Sequence, residues 1–179
     1  MPQTTRQRYW ALLEATFLVR PLPPWHANLG LRLLKTPKVL LGDTGLMCHL
    51  LGLDTERLPA DDLMMGAALE CFVANGLAKQ ISWGELSPGL FHYRTHTQQE
   101  VDFVLEDARG RLVGIEVKKT ASPTGADFKG LRHLRGQTGR RFLRGILLHT
   151  GSASVAFEEN LLALPVSALW QMASLPHAR

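Results

Sequence analysis

Three side chains suited to phosphate and metal chemistry, Asp102, Glu116 and Lys118, fall in one stretch, Gln99–Thr120 (QEVDFVLEDARGRLVGIEVKKT). Val101, Phe103 and Leu105 alternate there with Glu100, Asp102, Val104 and Glu106, the period of two of a half-buried strand. After the turn-forming Asp107-Ala108-Arg109-Gly110, Val113, Ile115 and Val117 take one face. Leu112, Gly114, Glu116 and Lys118 take the other. A hairpin closing symmetrically about Arg109 sets Asp102 opposite Glu116 and Glu100 opposite Lys118. Directly opposed residues have Cβ atoms about 4.5–5.5 Å apart, where like charges repel. A divalent cation between the carboxylates would offset that repulsion, helped by the Lys118 ammonium. A surface hairpin with a solvated charged face has the same pattern, so both readings stand at this point.

A further acid lies on a helix. Asp61 or Asp62 caps the longest expected helix, which runs to about Gln80 with a core face including Leu69, Phe72, Val73 and Leu77. On it, Glu70 has Gly66, Ala67, Val73 and Ala74 as its helical neighbours, with no cation among them. Such a carboxylate either enters a cleft or points into water. Asp43-Thr44-Gly45 invites an aspartic-protease half-site, in which two such loops share a proton. The favoured reading is that Asp43 or Thr44 caps a helix running to about Leu50 and ending at Gly52. His92 and His96 lie on an expected strand, Gly89–Thr95 and its end, roughly 13 Å apart, too far to share a metal. Tyr93 there is expected to pack and Arg94 to line a rim.

Ala126–Gln137 reads as a helix with Phe128, Leu131 and Leu134 as its apolar stripe. No acid occurs between Asp127 and Glu158, so Lys129, Arg132, Arg135, Arg140, Arg141 and Arg144 form an unopposed basic stretch. Phosphate contact is one use for it, through release of counterions condensed on nucleic acid. An acidic protein partner or an ordinary solvated face would use the same residues.

The order Asp, then Glu-x-Lys, on consecutive strands resembles the metal site of the PD-(D/E)xK nuclease-like fold. More specifically, the chain resembles the domain-of-unknown-function family 4143, found C-terminal to an ATPase module in many prokaryotic proteins. The pieces that carry the resemblance, in order, are KTPKVLLGDTGL (35–46), GAALECFVANGL (66–77), YRT (93–95), EVDFVLE (100–106) and IEVKKT (115–120). The resemblance implies an α/β fold: a restriction-endonuclease-like mixed sheet flanked by helices, preceded by a short N-terminal winged-helix-like remnant. It also implies Mg²⁺ or Mn²⁺ held by Asp102 and Glu116, with Glu70 as an accessory ligand and Lys118 orienting water. The expected function is that of a nuclease-like domain of an ATPase-associated protein, a Mg-dependent DNA phosphodiesterase. The alternative is a non-catalytic nuclease-like scaffold that docks DNA or a protein partner. The chain has no Gly-x-x-x-x-Gly-Lys-Ser/Thr phosphate loop, so no ATP site is expected here and any ATPase module lies outside this chain.

The elements that must position these groups are read from pattern. With 179 residues, 45% of them hydrophobic, the chain suits a helix and connector over 1–30 and one core domain over 31–179. A helix from Thr4 or Thr5 to about Phe17 leads to a short strand, Leu18–Arg20, which PLPPW (21–25) should stop. Leu31–Leu34 and Val39–Leu41 read as a hairpin. GILLHT (145–150) reads as a buried strand, and Leu161–Trp170 as a strand and helix. A formal charge of +4 permits nucleic-acid binding. Cys48 and Cys71 form no CxxC and read as reduced thiols of a cytoplasmic protein. No targeting segment and no membrane span is expected.

Overall fold

The structure, a computed structural model, describes residues 2–34 and 36–171. Helix α1 (Gln3–Ala15) buries none of its side chains. It leads into β1 (Val19–Leu22), which pairs antiparallel with β2 (Lys38–Leu41) in a two-stranded ribbon. Two expectations are corrected here. Pro21 does not stop the strand, because a two-stranded ribbon offers an outer edge where a missing N–H costs no ladder bond. Residues 31–34 are not a strand paired with β2 but part of helix α2 (Leu29–Leu34). Asn28 starts that helix by accepting a hydrogen bond from the Gly30 N–H at 2.9 Å, and the following Leu and Arg residues are good helix formers.

Asp43 caps α3 (Thr44–Leu50), its Oδ1 accepting from the Leu46 N–H at 2.7 Å. The carboxylate of the Asp-Thr-Gly turn is thus spent on a helix end. Asp43→Ala should cost about 1 kcal/mol, a fall of about 2–4 °C in Tm for a chain of this size, measurable by thermal unfolding. A short helix, α4 (Arg57–Ala60), precedes α5 (Asp62–Trp83), whose cap Asp61 accepts from the Leu63 and Met64 N–H groups at 3.0 Å. The buried face of α5 includes Val73 and Leu77 as expected, with Ala74 between them. Phe72 does not join it: the ring is 46% exposed and lies against Trp170, centroids 4.9 Å apart.

Six strands form the main sheet: β3 (Gly89–Arg94), β4 (Glu100–Glu106), β5 (Leu112–Lys118), β6 (Phe142–His149), β7 (Val155–Glu158) and β8 (Leu161–Pro165). Their order is β3-β4-β5-β6-β8-β7, with β5, β6 and β8 parallel to one another and the other pairs antiparallel. The β5–β6 crossover is α6 (Lys129–Thr138), as parallel pairing requires a long return. Strand β7, with no apolar alternation to announce it, has no counterpart among the sequence expectations.

Helices cover both faces. On one, Val73, Ala74 and Leu77 of α5 pack on Phe103, Ile115 and Leu148. On the other, Phe128, Leu131 and Leu134 pack on Val101, Val104, Leu112 and Leu147. The hairpin is therefore not half-buried: Leu112 is fully buried, and a Cβ on Gly114 would lie 2.7 Å from Leu131 Cδ2. Before β3, the Trp25 N–H donates to His92 O at 2.6 Å and the His92 N–H to Pro23 O at 3.0 Å, tying the connector to the sheet edge.

Candidate metal and phosphate site

The β4–β5 hairpin closes in the expected register, Phe103 facing Ile115 and Glu106 facing Leu112. Regular pairing ends at Phe103. One step further, Asp102 Oδ2 accepts the Val117 N–H at 2.8 Å, so the carboxylate takes over an acceptor role from the backbone. The cause is a bulge: between its pairings of Val104 with Phe91 and Val101 with Tyr93, β4 carries one extra residue. That residue shifts the alternation, so that Val101 and Val104 both pack toward α6 while Phe103 packs toward α5. Bulges of this kind re-aim side chains next to functional sites.

Asp102 and Glu116 line one cleft of about 450 Å³ together with Glu70, Glu100, Lys38 and Lys118. The far wall is formed by Ala126, Asp127, Lys129 and Gly130, and the rim by Gln98 and Gln99. Glu70 reaches the cleft from α5, and Lys38 of β2 supplies the ion-pair partner that its own helix lacks. Lys38 also lies 3.9 Å from Glu100. Two hydrogen bonds hold β2 in place for this, from Cys71 Sγ and Asn75 Nδ2 of α5 to Leu41 O, at 3.3 and 3.1 Å. Lys118 pairs with Glu116 at 2.9 Å, its neighbour on the same strand face, and the expected opposition of Glu100 and Lys118 is lost because regular pairing stops at Phe103. A Cβ on Gly130 would lie 2.0 Å from Glu100 O, so only glycine lets α6 meet β4 this closely.

Electrostatics mark the two central acids. Burial first, then the charges of Glu116 and Glu70, push the Asp102 carboxyl up to about 8. Burial also raises Glu116, although Lys118 opposes it. Burial works against the ammonium groups of Lys38 and Lys118, but Glu70 and Glu116 respectively outweigh it, and both lysines are held above the ordinary value. The Asp102 carboxyl thus stays protonated in the fold to about pH 8, against 3.8 for the free group. Across that window the unfolded chain binds fewer protons than the native one, so stability falls as pH rises. Glu116 adds to the same trend. In metal-free buffer, Asp102→Asn should therefore raise stability at pH 8 by on the order of 1–3 kcal/mol, with the gain shrinking at pH 5. Thermal melts at both pH values check this.

These residues fit a divalent cation in one respect and resist it in another. Glu116 Oε2 is buried with no hydrogen-bond partner, and an orphaned carboxylate oxygen beside the half-buried Asp102 suits a hard cation. Yet among the described residues no three acidic, histidine or cysteine groups stand in a ready-made metal-binding arrangement. Lys38 holds Glu70, and Lys118 holds the other oxygen of Glu116.

The basic stretch is less uniform than its sequence. It is not unopposed: Arg132 and Arg135 pair with Glu158 of β7 at 2.6 and 2.8 Å. Arg141 pairs with Glu106 at 2.7 Å and donates to Gly110 O at 2.8 Å. Acids missing from the sequence window arrive from other strands. Arg140 and Arg144 are exposed, and Lys129 lines the acidic cleft. Lys38 escaped the sequence reading because nothing in KTPK distinguishes one lysine from the next.

Residues 65–169, more than half of the chain and all of the hairpin, match the family described as "Domain of unknown function (DUF4143)". The protein belongs to that family. Residues 1–57 match a second, "Domain of unknown function (DUF8612)", so the KTPKVLLGDTGL piece at 35–46 falls in this match and outside the first. The uncharacterized protein Rv2008c of Mycobacterium tuberculosis and Mb2031c of Mycobacterium bovis are each 38% identical to it over 123 residues, 68% of this chain and 26% of theirs. The chain thus spans about a quarter of the length of these curated relatives. Among solved structures, a half-complex of a tetradecameric assembly of Thermococcus gammatolerans McrB AAA+ hexamers with bound McrC is similar at a TM-score of 0.38 and 14% identity. That match covers 56% of this chain and 27% of the other. No helix among the described residues is long and apolar enough to cross a membrane.

Proposed function

We propose that the cleft is the centre of a metal-dependent DNA phosphodiesterase built on a restriction-endonuclease-like, PD-(D/E)xK core. One observation carries this reading: the buried Glu116 and the half-buried Asp102 converge from adjacent strands with a Glu116 oxygen left unpaired and Lys118 beside it. Asp102 and Glu116 would hold Mg²⁺ or Mn²⁺, and Glu70 would join as an accessory ligand once released by Lys38. A bound cation of this kind supplies a water of lowered pKa and stabilises the charge of phosphoryl transfer. Lys118 holds a water or phosphate oxygen within reach of its ammonium, and Lys129 attracts the strand to the wall of the cleft. Arg140 and Arg144 are free to meet flanking phosphates, whereas Arg132, Arg135 and Arg141 serve the fold first.

The family resemblance suits a place beside an ATPase module outside this chain, with α1 and the β1–β2 ribbon as the winged-helix-like remnant. The two free cysteines suit a cytoplasmic location. The Lys38–Glu70 pair favours a second reading, a non-catalytic scaffold that docks DNA or a protein partner, because it occupies an acid that catalysis would want free. The deciding assay is cleavage of single-stranded, duplex and branched DNA with Mg²⁺ or Mn²⁺, alongside crystals soaked in manganese. Cation density between Asp102 and Glu116 with metal-dependent cleavage is expected. Neither cleavage nor metal-enhanced binding would leave the scaffold.

A further inference from the structure

A second cleft, of about 460 Å³, adjoins the first and differs from it in chemistry. Its floor is aromatic: Trp25 and Tyr93, 4% and 7% exposed, have ring centroids 6.1 Å apart. The His133 ring of α6 follows at 6.1 Å from Tyr93, tilted by 33°. Around these rings stand Arg94, His96 and the Gln137 amide, and no carboxylate among the described residues lines the cleft. Trp25 and Tyr93 are too buried to present a ring face themselves and instead back the half-buried His133 ring, while donors and acceptors at the rim suit the edge of a flat heterocycle.

Two elements join this cleft to the acidic one. The β3–β4 turn contributes Gln98 and Gln99 to the acidic side and Arg94 through Thr97 to the aromatic side. Within it Gln98 has φ +61°, a left-handed conformation that a non-glycine residue rarely adopts and that concentrates at functional sites. Helix α6 contributes Gly130 to one cleft, and His133 and Gln137, on the same stripe, to the other. At 1.5 Å rise per residue these lie about 4.5 and 10 Å beyond Gly130.

We propose that the aromatic cleft receives a nucleobase of the same strand whose phosphate lies at the acidic cleft, stacking it against the half-buried His133 ring, which the buried Tyr93 ring backs. The inference rests on the nucleic-acid reading of the acidic cleft and adds that recognition includes bases, in a sequence-tolerant way. Stacking of a base on an aromatic side chain contributes about 1–3 kcal/mol, or about 5- to 150-fold in affinity.

The test is fluorescence-anisotropy binding of the full chain, in EDTA to prevent cleavage, to labelled oligothymidylate and to its abasic phosphodiester counterpart of equal length. Phosphate contacts are the same in both. The intact oligonucleotide is expected to bind about 10-fold tighter or more. His133→Ala and Gln137→Ala should weaken intact oligonucleotide toward the abasic value and leave the abasic value unchanged, and His133→Phe should restore the difference. Equal binding of the two oligonucleotides, no binding of either, or parallel loss of both in His133→Ala overturns the proposal. Base-dependent binding without metal-dependent cleavage would sink the phosphodiesterase and leave this inference standing. Cleavage with no base dependence would do the opposite.

Discussion

Glu116→Gln is expected to lower metal-dependent DNA cleavage by at least about 100-fold, while DNA affinity holds or rises. Gln keeps the volume of the side chain and an oxygen for Lys118, so the fold should survive. What it removes is the charge on a buried carboxylate oxygen that, alone among those of the described residues, lacks a protein partner. Loss of a negative group also relieves repulsion of phosphate, which is why binding and chemistry should separate. Arg140→Ala with Arg144→Ala should behave inversely. Binding should weaken uniformly across sequences with a flatter salt dependence, and single-turnover cleavage of bound DNA should be little changed. If Glu116→Gln cleaves as well as the parent chain, Glu116 is no metal ligand and the site model fails.

The second large effect concerns backbone and not charge. Gly130→Ala places a methyl 2.0 Å from Glu100 O, a contact with backbone that no side-chain rotation relieves. Helix α6 must then withdraw from β4, and overpacking of this kind costs about 1–3 kcal/mol or more. A fall in Tm of about 5–10 °C is expected, and the far wall of the acidic cleft should move away from Asp102. Cleavage should drop further than stability alone explains, seen as reduced turnover well below the new melting temperature. An unchanged Tm would mean that the close approach of α6 to β4 is not maintained in solution.

The hairpin was the most legible part of the sequence, because a turn of known residues and two alternating runs leave one register that keeps the apolar set together. Phe103 does face Ile115, as the symmetry about Arg109 requires. Alternation could not reveal that the second face is covered too, since Leu112 and Gly114 acquire that role only when α6 folds over them. Nor could it reveal the bulge at Asp102, which depends on β3 as much as on β4. Caps were readable for a local reason: Asp43 and Asp61 bond to groups two or three residues away. The charge partners were not. Lys38 meets Glu70 and Arg132 meets Glu158 across 32 and 26 residues, distances at which sequence proximity says nothing. The helix at Leu29–Leu34 was lost to an apolar run too short to show a period.

The ammonium of Lys38 has a consequence for how such proteins diversify. It belongs to the stretch of chain matched by one family, residues 1–57, and neutralises an acid in the stretch matched by another, residues 65–169. The core thus carries its acids internally but borrows a counter-charge from the appendage in front of it. Exchanging that appendage for one without a lysine at the end of its ribbon would leave five acids, Asp127 of the opposite wall among them, facing two core-borne cations, Lys118 and Lys129. The same core could then shift its appetite for cations without a single substitution inside it. Modular joining, and not only point mutation, becomes a way to retune the cleft.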